Sequence, residues 1–462
     1  MRVYLSEFAR VGGALLLVLY VVFSYLVFRY RTEKKRKPFY VVQILLMIGI
    51  QGLLFLQMLL KTNDLRYLFF FAFQAIVILA TIILYRVIYP DANLLIVNNM
   101  CLLLMISMAI LTRLSGNKAI RQFIIALASL VIALILPELV LRFRILSELW
   151  WAYGLVGITA LSFVLILGRA INGSNINYSV GGVTFQPSEF IKIVYVFFVA
   201  AALTRVEELW HILLVSAGAA LHVLILVFSR DLGAALIFFT VYFMMLTIAR
   251  DRYEYLLAGL GIGIVSCIVA YRLFAHVRAR VAVFLDPWTS IDSAGYQVTQ
   301  SLFGISVGGP FGLGLYGGNP SAIPFVEQDF IFSAIAEELG IVFAVALLAV
   351  CLSTAWMVFR IAEWIRDPFY RLLCAGFGII YVFQVFLTVG GGTKFIPLTG
   401  VTLPLVSYGG SSVLATILMF GLVEGIVLIR AGEHKKAVER LRAVHESAGK
   451  RRAKRREDDE ED

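Results

Sequence analysis

Apolar runs of about 18–25 residues, parted by short polar stretches, recur along most of the chain. Each is long enough to cross a hydrocarbon core of about 30 Å as an α-helix. They fall near residues 11–28, 40–60, 67–88, 94–112, 122–141, 149–168, 188–204, 209–228, 232–249, 255–275, 330–357, 371–390 and 409–430. The pattern predicts an all-α polytopic membrane protein of about thirteen spans. The first run is followed, not preceded, by its basic cluster and no small-residue cleavage site follows it, so it reads as a retained span. Three polar intervals break the rhythm, at about 168–186, 276–328 and 390–408. The third carries Pro397 and Pro404 among glycines at membrane depth. That implies a re-entrant or broken helix, tolerated only where protein or a wet cavity satisfies its backbone.

Composition narrows the class. Of 462 residues 60% are hydrophobic and 15% charged, a balance no soluble domain could bury. The formal charge of +10 raises nucleic acid as a partner, but its placement argues against that. Arg29, Arg31, Lys34, Lys35, Arg36 and Lys37 form one loop cluster. Arg86, then Arg142 and Arg144, Arg205, Arg250 and Arg252, and Arg360, Arg366 and Arg371 occupy the loops that alternate with it. The positive-inside rule makes these loops and the C-terminus cytoplasmic. The N-terminus and the three polar intervals are then extracytoplasmic, with Arg113, Lys118 and Arg121 a mild exception. The four cysteines and five histidines are scattered, with no disulfide or metal spacing. Residues 432–462 form a charged tail suited to anionic lipid headgroups.

Several polar groups sit where a membrane makes them costly. Asp329 stands where a glycine-rich interval meets an apolar run, with Glu337 and Glu338 following inside the run. Ionisable groups there point to function. Asp329 also fits a plain helix N-cap, and the two glutamates fit ion pairing with neighbouring spans; Glu424 fits the same. Gln186-Pro187-Ser188-Glu189 reads as a helix start, with Pro187 in the first turn and Ser188 as a cap. Lys192, three residues beyond Glu189, adds a charge pair at the membrane edge. Asp231 either pairs with Arg230 or caps the next helix. The glycines between 304 and 318 permit close backbone approach and N–H groups that could cradle an anion, as any flexible loop would.

In joint order and spacing these segments resemble the shape, elongation, division and sporulation (SEDS) family, of RodA/FtsW/SpoVE type. The resemblance is carried by Gln186-Pro187-Ser188-Glu189 with Lys192, and by Asp231-Leu232-Gly233. Asp286-Pro287 with Gly295-Tyr296-Gln297 and Gln300-Ser301 follow, then Asp329-Phe330-Ile331-Phe332 with Glu337-Glu338-Leu339-Gly340, and last the stretch from Pro397 to Ser412. It covers about 91–430. It implies a ten-span glycosyltransferase core at 91–431, preceded by an extension of about three spans at 1–90 and followed by the tail. The implied activity is polymerisation of lipid II into peptidoglycan strands at the outer face of the cytoplasmic membrane, beside a class B penicillin-binding protein. The essential external carboxylate of the family falls on Asp329, the expected catalytic base. Arg280 and Lys394 are expected to meet the substrate diphosphate, with Gln186, Ser188, Gln297, Ser407, Gly409 and Gly410 lining the substrate. Glu189, Lys192, Asp231, Glu337 and Glu338 would support them. A divalent cation, Mg or Mn, is an alternative charge partner with no ligands assigned.

The chain departs from the family in three places. It carries the N-terminal spans, it lacks the usual basic and Trp residues at 173–178, and it has Ser229-Arg230 where Gln-Pro is usual. Two other activities fit the same features: a lipid II transporter, since intramembrane carboxylates around a cavity suit one, and a non-catalytic scaffold that activates the penicillin-binding partner. The motifs do not separate elongation, division and sporulation roles.

Overall fold

The computed structural model describes residues 1–30, 32–142, 144–167, 169–171, 174–180, 183–433 and 435. The charged tail lies outside these residues from 436 onward, as do Arg31 of the basic cluster and Gly173 of the departing stretch.

Every apolar run forms a helix. In chain order they are α1 (Arg2–Arg29), α2 (Glu33–Thr62), α3 (Arg66–Ile88), α4 (Leu94–Leu114), α5 (Gly116–Arg142), α6 (Trp150–Leu167), α7 (Ser188–Leu203), α8 (Leu209–Phe228), α9 (Leu232–Arg250) and α10 (Glu254–Leu273). Two shorter helices follow, α11 (Ala275–Leu285) and α12 (Tyr296–Gly308), then α13 (Ile331–Trp364), α14 (Pro368–Gly392) and α15 (Gly410–Glu433). Among the described residues 11 helices are long and apolar enough to cross a membrane, and α6 and α7 complete the series as its shorter members. The fold is that of an all-helical polytopic membrane protein. Its one non-helical ornament among the described residues lies between α6 and α7, where three short strands, β1 (Arg169–Ile171), β2 (Ser174–Val180) and β3 (Val183–Phe185), pair antiparallel in that order.

The helices alternate in direction, so the loops sort onto two ends. At one end the Arg36 and Arg430 guanidiniums lie over the Trp364 ring, Lys435 pairs with Asp91 at 2.6 Å, and Arg250 reaches the Leu203 carbonyl. There too Glu424 accepts the Asn93 N–H at the start of α4, an anion at a positive helix end. At the opposite end gather α11, α12, the glycine-rich interval and the segment between α14 and α15. The basic loops therefore share one end, as the charge pattern requires. Two of the three exceptions are paired, Arg113 with Glu338 and Lys118 with Glu327, and Arg121 stands exposed.

Burial differs sharply between helices. Nearly every side chain of α4 is buried, which makes it the central pillar, whereas α10 buries only Gly259. Helices that cannot gain from water exclusion inside lipid are held by packing and by polar contacts. Here Gln43 donates to Ser24, Asn98 donates to Gln43, Tyr20 donates to Asn99, and Asn99 donates to Ser353 and Thr354. That chain of bonds ties α1 and α2 to α4 and α13.

One backbone feature governs the site. Helix α13 is broken at Gly340, whose φ of 89° and ψ of 165° are open only to glycine. At the break Ile341 and Val342 give their N–H groups to the carbonyls of Gly309 and Pro310, and the carbonyls of Glu337 and Glu338 accept from Leu313 and Gly314. The loop thus supplies the hydrogen bonds that the helix forgoes.

Candidate active site at the Asp329 end of the bundle

Asp329 ends the glycine-rich interval two residues before α13 begins, half-buried. Capping does not explain it. Phe330 holds the N-cap position without a side-chain bond, and among the described residues the Asp329 carboxylate makes no hydrogen bond or ion pair. Burial pushes its carboxyl up to about 7; Arg280 opposes that shift and Glu327 adds to it. Arg280 stands on α11, and its guanidinium donates to the Thr399 carbonyl at 3.3 Å, beside Gly400. Burial lowers its pKa, while Asp329 and Asp231 draw it back. A Cβ placed on Gly400 would lie 3.8 Å from Asp329 Oδ2, so the carboxylate faces the open backbone of that turn. The Thr399 hydroxyl is buried there without a hydrogen-bond partner among the described residues.

Next to this group lies a cavity of about 30 Å³, lined by Gln186, Ser188, Glu189, Lys192, Asp231, Gly400 and Thr402 among others. It has room for about one or two waters. Asp231 caps α9, accepting the Ala234 N–H at 3.0 Å through Oδ1, and its Oδ2 accepts from the Ser188 hydroxyl and the Gln186 amide. Capping, not pairing with Arg230, is its role. Ser188, expected as a cap, spends its hydroxyl on Asp231, because Pro187 occupies the N-cap position of α7. Burial raises the Asp231 pKa against those three bonds. Lys192 is buried between Glu189 at 2.6 Å and Gln384 at 2.9 Å, and Gln384 goes on to the Thr402 carbonyl and Ser412. The Gln186 and Asp231 motifs thus meet the segment between α14 and α15. Gly233 belongs to the same join, since a Cβ there would clash with Val401.

The remaining candidates divide by role. Glu337 accepts the Asn319 N–H at 2.6 Å, and Glu338 accepts from Arg113 at 2.9 Å and from Tyr316 N at 3.0 Å. Both glutamates therefore grip the glycine-rich loop. That loop does not cradle an anion with Leu313 or Gly314, whose N–H groups are spent on α13. Its glycines allow approach to protein: a Cβ on Gly308 or Gly312 would overlap the carbonyl of Ala336 or Glu338. With Ser301, which reaches the Gly392 carbonyl, Gly304 and Gly308 make one small-residue face of α12 against α13.

Ser407 accepts from Leu403 N and donates to the Gln328 carbonyl, and Tyr408 N donates to the Glu327 carbonyl at 2.7 Å, which fixes the residues just before Asp329. Gly409 N donates to Gln122, and Gly410 packs on Ile125. Gln297 and Lys394 stand half-buried with no side-chain hydrogen bond among the described residues. Lys394 sits at the turn after α14 with φ 57°. Sequence reasoning passed over Arg113, Gln122, Gln384 and Thr399. The two glutamines were visible as lone amides inside apolar runs, a costly placement that signals a partner.

Among the described residues no group of three or more His, Cys, Asp or Glu side chains converges to hold a metal ion. What the site offers is an unbonded carboxylate of raised pKa, a partly desolvated guanidinium beside it, and a lysine at the rim.

The sequence profile of the FtsW/RodA/SpoVE cell cycle proteins matches residues 66–430, beginning at α3, one helix before residue 91. The peptidoglycan glycosyltransferase RodA of Mycobacterium tuberculosis is 36% identical over 302 residues, which are 61% of this chain and 64% of that protein's length. A probable peptidoglycan glycosyltransferase FtsW of Halomonas elongata is 34% identical over 342 residues, covering 69% of this chain and 83% of its own. A solved chain from a peptidoglycan synthase complex, described as coordinating polymerization and crosslinking, superimposes with a TM-score of 0.64 at 28% identity. That match covers 73% of this chain and 98% of the other.

Proposed function

Because the chain belongs to the FtsW/RodA/SpoVE family of SEDS membrane proteins, we propose that it is a peptidoglycan glycosyltransferase that polymerises lipid II. One observation carries the reading: among the described residues the partly buried Asp329 carboxylate makes no hydrogen bond or ion pair, although a helix N-terminus stands two residues away. A charge left unbonded and partly desolvated costs stability and is kept for use.

In this reading two lipid II molecules lie in the outer leaflet with their sugars at the Asp329 end. The acceptor's GlcNAc 4-hydroxyl attacks C1 of the donor's MurNAc. The C1–O bond to the diphosphate breaks with its electron pair leaving on the diphosphate oxygen, and configuration at C1 inverts. The hydroxyl proton goes to Asp329, which acts as general base. Arg280 and Lys394 stabilise the departing diphosphate. Gln186, Ser188, Glu189, Lys192 and Asp231 brace the opposite wall, and Gln297, Ser407, Gly409 and Gly410 shape the rim. A divalent cation, Mg or Mn, would add charge stabilisation to the substrate diphosphate; among the described residues no group of His, Cys, Asp or Glu side chains converges to hold one. The basic loops support a cytoplasmic location for the opposite end and the C-terminus. The solved neighbour's assembly supports a class B penicillin-binding protein as partner, serving elongation, division or sporulation.

The test is polymerisation of purified lipid II by the detergent-solubilised protein, with and without EDTA. Wild-type protein should yield glycan polymer and Asp329→Asn none at equal expression. Polymer from the variant at the wild-type rate would remove the base assignment. Absence of polymer from wild type, with lipid II moving across vesicles instead, would replace the enzyme with a transporter.

A further inference from the structure

Three polar side chains, one from each of the first three helices, converge on five consecutive residues beside the break in α13. From α1, Arg10 donates to the Gly312 carbonyl at 2.9 Å. From α2, the Gln57 carbonyl oxygen accepts the Leu315 N–H at 3.2 Å. From α3, Tyr67 shares a 2.7 Å hydrogen bond with the Tyr316 hydroxyl. The same five residues face the other way too. Leu313 and Gly314 bond the carbonyls of Glu337 and Glu338, and Tyr316 N bonds the Glu338 carboxylate. Segment 312–316 is thus a strap with one edge on the N-terminal helices and the other on the short first half of α13.

The helices behind the strap are themselves pinned. The bonds from Tyr20 through Asn99 to Ser353 and Thr354 fix α1 against the long second half of α13, below the break. Spans that only added lipid-facing bulk would need no polar side chain aimed at residues 312–316, least of all the buried Gln57, since a polar group inside a span is costly unless used. Instead each helix spends one such group on the same short stretch. Glu337 and Glu338 lie on the half-helix that begins at Ile331, two residues after Asp329, so whatever holds their carbonyls also bears on where Asp329 stands.

We propose that α1–α3 form a built-in clamp on residues 312–316, with Arg10, Gln57 and Tyr67 as positioning residues that hold the first half of α13, and so Asp329, against Arg280 and Gly400. The inference deepens the polymerase reading and rests on it for its kinetic half.

The experiment uses the full chain and the variants Arg10→Met, Gln57→Met, Tyr67→Phe and their combination. Amide hydrogen exchange, which needs no catalysis, is read at 313, 314, 341 and 342. A clamp lost should speed exchange there on the order of fivefold per lost bond while leaving α4 protected. In lipid II polymerisation kcat should fall about tenfold to hundredfold with KM unchanged, because a base displaced by about 1 Å loses the transition state and not the substrate. Arg10→Lys, which keeps a donor, should recover part of the rate, and Tyr67→Phe with Tyr316→Phe should cost no more than either alone. Unchanged exchange in the combined variant overturns the clamp, and faster exchange with unchanged kcat overturns its positioning role. Where the combination fails to fold, the single variants decide by the same two readouts. A wild-type chain that makes no polymer overturns the polymerase reading, while the exchange result still decides the clamp.

Discussion

The pKa of Asp329 turns the proposed mechanism into a pH dependence with a definite direction. A general base works as the carboxylate, and burial has raised this carboxyl to about 7. Its ionised fraction is then about one tenth at pH 6, about half at pH 7 and about nine tenths at pH 8, whereas an ordinary aspartate is fully ionised throughout. Polymerisation should therefore rise roughly tenfold per unit below neutrality and level off above about pH 8. Two neighbours shift the limb in opposite senses. Arg280 favours the anion, so Arg280→Gln removes a cation that holds the pKa down and moves the limb to higher pH. Glu327 disfavours it, so Glu327→Gln moves the limb to lower pH; the Lys118 freed from its pairing pushes the same way. The assay is initial-rate polymerisation of lipid II by purified protein from pH 5.5 to 9, plotted as kcat/KM so that it reports the free enzyme. A flat profile across that range, or an Arg280→Gln limb displaced towards acid, would refute the assignment.

Other consequences follow from the packing. Gly340→Ala forces a side chain into a glycine-only conformation and against Gly312 and Pro310, at a cost of about 3 kcal/mol or more; the melting temperature in detergent should drop and polymerisation vanish, and a wild-type melting curve would contradict the splice at the break. Arg113→Met strands a buried Glu338 and should cost about 3–5 kcal/mol, while adding Glu338→Gln should return part of it, as a double-mutant cycle on thermal stability would show. Lys192→Met should destabilise through Glu189 in the same way and be relieved by Glu189→Gln.

The sequence by itself determined the class, the spans and the sorting of the basic loops onto one end. Lipid imposes a length of about 20 apolar residues on any spanning helix, so the runs could be counted before any contact was known, and each became a helix. Loop charge fixed the sorting of the ends for a similar reason: it is a local property of short segments. Motif order singled out Asp329 as the expected base, and charge singled out Arg280 as a partner for the diphosphate. It did not show that Asp329 leaves the helix N-terminus uncapped, nor that Ser188 serves Asp231.

Tertiary structure alone decided what the glycines between 304 and 318 are for. A glycine permits close approach without naming what approaches, and here it is the α13 backbone, opened at Gly340, that exchanges hydrogen bonds with Gly309, Pro310, Leu313 and Gly314. It alone decided also that the first three helices each bond residues 312–316. Arg10, Gln57 and Tyr67 are far from residues 312–316 in sequence and carry no shared spacing, so only the bundle brings them to one strap. Periodicity and motif are written along the chain; a hydrogen bond between residues 302 positions apart exists only once the helices have packed.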